Sequence, residues 1–154
     1  MKKILVILLL LILSITVFSL DVDINELQKK FPDSKIQVSS SGNNSNKLIA
    51  IIKPNNDIIW IMISHNKEFE DLGYDIKEIY NKVGFKLEQK TANMLVMKKN
   101  YEGVFFIKGN YKKLYFVHKY INIFEAQNIE KDEGLIESCM INYKKCRLKH
   151  LVKN

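Results

Sequence analysis

Two segments of this chain combine a helix start signal with strand-forming residues downstream, and this pattern constrains the fold more than any other feature. Asp23 and Glu26 have the spacing of a helix N-cap and of the acidic residue three positions later, and Asp75 and Glu78 repeat it. Such pairs bind backbone amides that lack a partner in the first turn of a helix. We therefore expect one helix to begin at each of these two sites.

Short apolar runs follow both predicted helices, which should end at Pro32 and Gly84. Their β-branched content and the turn residues between them are typical of strands joined into hairpins. The predicted strands are 35–40, 47–53 and 57–64 in the first half, and 85–90, 93–99, 103–108 and 112–120 in the second. The sequence thus predicts an α+β fold, in which helices cover an antiparallel meander sheet.

The two halves, 23–64 and 75–120, also resemble each other in sequence. For example, Ile52-Lys53-Pro54-Asn55 recurs as Ile107-Lys108-Gly109-Asn110. One interpretation is a duplicated unit of one helix and three or four strands. The other is chance similarity in a chain rich in Lys, Asn and Ile. The helix and strand predictions hold under both interpretations.

The N-terminus has the three parts of a secretory signal peptide. Lys2 and Lys3 precede the apolar run 4–13, and Val17-Phe18-Ser19 suits the residues that signal peptidase recognises. We predict a signal peptide at 1–19 and a single domain at 20–154, exported to the periplasm, the cell surface or the medium. The alternative is an uncleaved membrane anchor, because the stretch is close to the ~20 apolar residues that span a bilayer.

The charge of the chain limits its partners only weakly. The formal net charge of +7 includes Lys2 and Lys3, so the predicted mature domain carries +5. Outside the cytoplasm, nucleic acid is not an expected partner, and we expect a protein or an envelope polymer instead. A membrane contact is expected only through the N-terminal segment, if it is not cleaved.

The C-terminal segment 132–150 is predicted to be a helix, because apolar residues recur in it every three or four positions. Cys139 and Cys146 would lie two turns apart on one face, about 10 Å from each other, which is too far for a disulfide. We expect reduced, partly buried thiols. The alternative is a small exported enzyme or metal-binding protein that uses Cys139, Cys146 and a histidine such as His150.

Aromatic residues supply the candidate binding site. Tyr101, Phe105, Tyr111 and Tyr115 occur in the second half, with lysines nearby. On one sheet face they would form a recognition surface; the alternative is that they fill the space between sheet and helices. Trp60 lies in a continuous apolar run, which predicts a strand buried on both faces.

No motif for an enzyme or a cofactor occurs in the sequence, which has no glycine-rich phosphate loop, zinc-protease helix or nucleophile elbow. We expect His118 to be structural, since it lies inside an apolar strand, and His65 to Gly73 to be an acidic linker. The helix-plus-meander plan is similar to small exported binding or inhibitor modules. The sequence therefore favours a non-catalytic binding module without a cofactor.

Overall fold

The computed structural model describes residues 20–40, 46–126 and 128–142. The predicted signal peptide lies outside these residues. The chain divides into two compact units, and the larger covers Ile24–Cys139. The smaller unit contains a two-stranded antiparallel ribbon, in which β1 (Leu20–Val22) pairs with β9 (Met140–Asn142).

The larger unit confirms the α+β class, since it combines three helices with one antiparallel sheet in its described residues. Its helices are α1 (Ile24–Lys30), α2 (Phe69–Lys82) and α3 (Ile129–Glu137), and a short 3-10 turn covers Ile123–Glu125. Its strands are β2 (Lys35–Ser40), β3 (Asn46–Ile52), β4 (Ile58–Ser64), β5 (Lys86–Lys90), β6 (Met94–Lys99), β7 (Glu102–Lys108) and β8 (Leu114–Tyr120). Each begins and ends within about two residues of its prediction.

Seven strands form the sheet in the order β2-β3-β4-β8-β7-β6-β5, and every neighbouring pair is antiparallel. The sheet therefore consists of two meanders, of three and four strands, that meet where β4 pairs with β8. At the outer edge of the second meander, the register of β5 shifts between Leu87 and Gln89, which forms a bulge at Glu88.

The helices lie on opposite sides of this sheet. Phe69 and Leu72 of α2 pack on the core formed by β6, β7 and β8. On the other side, Glu133 of α3 reaches His118 of β8, with Nε2 and Oε1 2.8 Å apart. Because α1 packs against α3, both of these helices cover the side opposite α2. The sheet thus has an α2 side and an α1/α3 side.

The start of α2 corrects two predictions from the sequence. The segment from His65 was expected to be a linker and Asp75 an N-cap, whereas α2 begins at Phe69 and Asp75 lies inside it. Acidic residues in the first turn of a helix are favoured by its macrodipole, so Glu70 and Asp71 belong to the helix start. The buried side chain of Phe69 anchors this turn.

The end of α3 corrects the predicted helix at 132–150. The helix begins at Ile129, ends at Glu137, and is followed by a turn and the short strand β9. At the turn, the Ser138 hydroxyl donates to the Leu135 carbonyl oxygen at 2.6 Å, which terminates the helix locally. Spacing of three or four residues does not distinguish a continuous helix from a helix that turns into a strand. Positions 143–150 lie outside the described residues.

Polar contacts near both ends of α3 attach this helix to the rest of the larger unit. Lys53 Nζ lies 2.5 Å from Asp132 Oδ2, and the Asp132 side chain is only 8% exposed. Glu137 accepts hydrogen bonds from Asn110, through the backbone N–H and the side-chain amide. Ile136, between these contacts, is fully buried. The attachment of α3 thus combines one fully buried apolar anchor with charged ones.

The Lys53–Asp132 pair gives a stability prediction. Asp132→Ala should lower the free energy of unfolding by about 3 kcal/mol, because it leaves the partly buried Lys53 ammonium without its partner. The double variant Lys53→Met, Asp132→Leu should recover most of this loss. Urea unfolding of the three proteins measures both effects. A cost below about 0.5 kcal/mol for Asp132→Ala would show that the pair does not hold α3 in place.

Candidate binding surface

The four aromatic residues predicted to bind a partner do not lie on one face. Tyr115 is 1% exposed and packs on the α2 side against Phe69. Phe105 points to the opposite side, because it pairs with His118 in the register of β7 and β8. Alternation along antiparallel strands causes this separation.

The other two predicted residues occupy turns at opposite ends of β7. Tyr101 is 70% exposed in the turn before β7, and Tyr111 is 41% exposed in the turn after it. The prediction of a single recognition surface is therefore corrected: Tyr115 belongs to the core, and the two exposed tyrosines are separated by the length of a strand.

A different surface is open on the α2 side of the sheet. Strand β4 alternates between the two sides: Ile59, Ile61 and Ile63 are at most 2% exposed on the α1/α3 side. The side chains of β3 and β4 that face the α2 side keep partial exposure. We call this surface the open face; it is formed by Leu48, Ala50, Ile52, Ile58, Trp60 and Met62.

Incomplete coverage by α2 explains the open face. This helix contacts β5, β6 and β7, and the strand next to them, β8, is buried on both sides almost throughout. Trp60 and Met62 lie at the border, packed against the edge of the core under α2. Beyond them, Leu48 is 39% exposed. The prediction that the Trp60 strand is buried on both faces is therefore wrong for its α2 side.

Two lysines of the sheet flank the open face at one end of its strands. The register aligns Lys35, Ile52, Ile58 and Lys119 in one row across β2, β3, β4 and β8. Lys119 Nζ lies 3.9 Å from Glu102 Oε1 of β7. Between 35 and 64 the only acidic residue is Asp57, whose carboxylate accepts hydrogen bonds from Asn55 and from the backbone N–H of Ile121. Strands β2, β3 and β4 thus supply the open face with no carboxylate.

On the α1/α3 side, buried polar groups lie beneath α3. His118 is fully buried, and its Nε2 is bound to Glu133. Burial raises the pKa of Tyr120, and the nearby Asp132, Asp57 and Glu133 raise it further. Its hydroxyl group has no hydrogen-bond partner among the described residues. The buried His118 side chain thus links β8 to α3 through Glu133, as expected of a structural histidine.

Few of the residues predicted for a catalytic or metal-binding site at the cysteines lie in the described part of the chain. Cys139 is a free, buried thiol whose Sγ lies 3.4 Å from the Leu135 carbonyl oxygen. Cys146 and His150 lie outside the described residues.

Glu68, in the segment after His65, is bound to Lys113 at 2.7 Å, and this hydrogen bond lowers its pKa. The described part of the chain contains no cluster of three potential metal ligands.

A small exposed aromatic pair was not predicted from the sequence. Phe124 is 68% exposed and lies near Tyr101, with ring centroids 6.3 Å apart. Lys98 Nζ is 6.0 Å from the Phe124 ring. Phe124 lies outside any strand, so no alternation pattern marked it. The pair is smaller than the open face and has no continuous apolar strand surface beside it.

No known protein family, curated protein or solved structure matches the chain. None of the helices in the described ranges has the length and apolar character needed to cross a bilayer.

Two neighbouring residues of β3 test whether the open face is uncovered in solution. Ile49→Ala should cost about 3 to 4 kcal/mol of unfolding free energy, because Ile49 is fully buried on the α1/α3 side. Leu48→Ala should cost about 1 kcal/mol or less, because Leu48 already contacts water. Chemical denaturation of both variants makes the comparison. Equal costs would mean that another layer covers the open face.

Proposed function

We propose that this chain is an exported, non-catalytic binding module of the cell envelope, which contacts a partner protein through the open face. The open face carries the proposal: a continuous apolar surface on strands β3 and β4, left without a helix among the described residues. Contiguous exposed apolar surface rimmed by polar groups is characteristic of interaction sites. The sequence pattern of 1–19 supports export.

The composition of the open face favours a protein over a polymer. Leu48, Ile52 and Met62 are aliphatic or thioether side chains, and Trp60 is the single aromatic ring among them. Protein interfaces are enriched in aromatic residues and methionine, and charged residues are depleted at their centre. The lysines lie at the rim, as this anatomy requires. Contact with an envelope polymer is one of the outcomes that the experiments below distinguish.

A catalytic or metal-binding function using Cys139, Cys146 and a histidine stays a prediction from the sequence. Among the described residues, the Cys139 thiol is buried against a helix carbonyl oxygen, and His118 is enclosed with its Nε2 bound to Glu133. Neither group points to a surface that a substrate reaches. The open face therefore supports the binding function better.

Export predicts a specific change of mass. When the full chain is expressed in a bacterium and the cells are fractionated, intact-mass measurement should find a product that begins at Leu20, in the envelope or the medium. Cleavage after Ser19 removes the basic start and the apolar run together. A full-length product dissolved in the cytosol would contradict the proposed location.

Site-specific photocrosslinking tests the contact. A photoreactive benzophenone amino acid at Leu48 should yield a discrete protein adduct in intact cells, because this side chain is the most exposed of the open face. The matched control carries the same group at Lys131, an exposed position of α3. An adduct at Leu48 and none at Lys131 supports the proposal. Absence of adducts at Leu48, or a heterogeneous ladder typical of polysaccharide, would overturn it.

A further inference from the structure

We infer that the open face accepts an amphipathic helix of the partner protein, with an apolar stripe flanked by acidic residues. This inference rests on the proposed function and names the chemistry of the partner. It follows from three properties of the open face: its dimensions, its position beside α2, and its charge.

The dimensions suit one helix. Two strands at a spacing of about 4.8 Å make the open face about 10 Å wide. A helix with its side chains is about 10 to 12 Å in diameter. Strands β3 and β4 have seven residues each, so the surface is about 24 Å long. A helix of about 16 residues covers this length.

The neighbouring helix shows how this side of the sheet binds a helix. Phe69 and Leu72 of α2 are buried against the strands, and Ile76 and Tyr80 are partly buried along the same stripe. A second helix laid beside α2 would meet Trp60 and the rest of the open face with a stripe of the same kind. Recognition of a helix in an apolar groove uses residues spaced in this way.

The same geometry disfavours a lipid surface. Since α2 lies on the same side of the sheet, it rises about 10 Å above the strands, the diameter of a helix. A flat bilayer resting on α2 would not reach Leu48, Ala50 or Ile52 at the level of the strands. A helix is rod-shaped and therefore fits into the recess beside α2, directly on the uncovered side of β3 and β4.

Charge complementarity identifies the flanks of the bound helix. Lys35 and Lys119 lie in one row on either side of Ile52 and Ile58. The nearest carboxylate to Lys119 is that of Glu102, at 3.9 Å, and the side chains of both residues keep about a third of their exposure. Acidic residues on both flanks of the apolar stripe would meet a cation on each side, which favours an acidic partner over a basic one.

Fluorescence titration tests this inference directly, because Trp60 is the single tryptophan of the chain. The probe is a synthetic 16-residue peptide without tryptophan, with a leucine stripe at helical spacing and glutamate on both flanks. A second peptide has lysine in place of each glutamate. The acidic peptide should shift the Trp60 emission to shorter wavelength at low salt and bind at least tenfold more tightly than the basic one. The difference in affinity between the two peptides should shrink in about 0.5 M salt, because the Debye length there is below roughly 5 Å.

Charge-reversal variants locate the binding. The double variant Lys35→Glu, Lys119→Glu should lose the preference for the acidic peptide, while Lys131→Glu on α3 should keep it. Equal binding of both peptides, absence of any Trp60 shift, or a shift only with vesicles containing phosphatidylglycerol would each overturn the inference. If the peptides fail but the Leu48 crosslink to a protein persists, the proposed function stands and the helical partner is wrong.

Discussion

The ladder between β4 and β8 is the interaction on which the rest of the structure depends. It joins a three-stranded and a four-stranded meander into one seven-stranded sheet. Its register places Ile59 opposite His118 and Trp60 opposite Val117. A slip of one residue would move every side chain of one meander to the other side of the sheet. The buried face and the open face are thus both defined by this pairing.

Unequal coverage of the two meanders produces the candidate surface. A rotation that superimposes the second meander on the first, with β8 placed on β4, would carry α2 onto the open face. If the two halves had the same arrangement, α1 would therefore lie on the open face. Instead α1 packs against α3 on the other side. The sequence similarity of the halves therefore corresponds to the order of helix and strands, and the helices take up different positions. The first meander keeps an apolar side that none of the described helices of the larger unit covers.

The sequence predicted the α+β class and the strands well, because alternation, β-branched residues and turn residues are local signals. It missed the start of α2, since the acidic residues before Asp75 resemble a linker as much as a helix N-terminus. It also extended the last helix past Glu137, because apolar spacing alone does not show where a helix stops. Both errors concern boundaries that tertiary packing and local hydrogen bonds decide.

The candidate surface was harder to predict than the fold. An apolar strand such as Ile58–Ile63 has the same sequence pattern whether a second layer covers it or not. Which strands α2 covers depends on long-range pairing, and this coverage separates Tyr115 in the core from Trp60 at the border. The strand prediction placed Phe105 and Tyr115 on strands correctly, but it did not show which side of the sheet is free.

The bulge in β5 affects the tendency of the protein to aggregate at high concentration. All five residues of this edge strand are exposed, and lysines stand at both of its ends. A straight, uncharged edge offers its free amides and carbonyl groups to a second molecule and can seed fibres. The displaced Glu88 interrupts that row, and the lysines repel an identical edge that approaches it. At this border the sheet resists edge-to-edge growth into an aggregate.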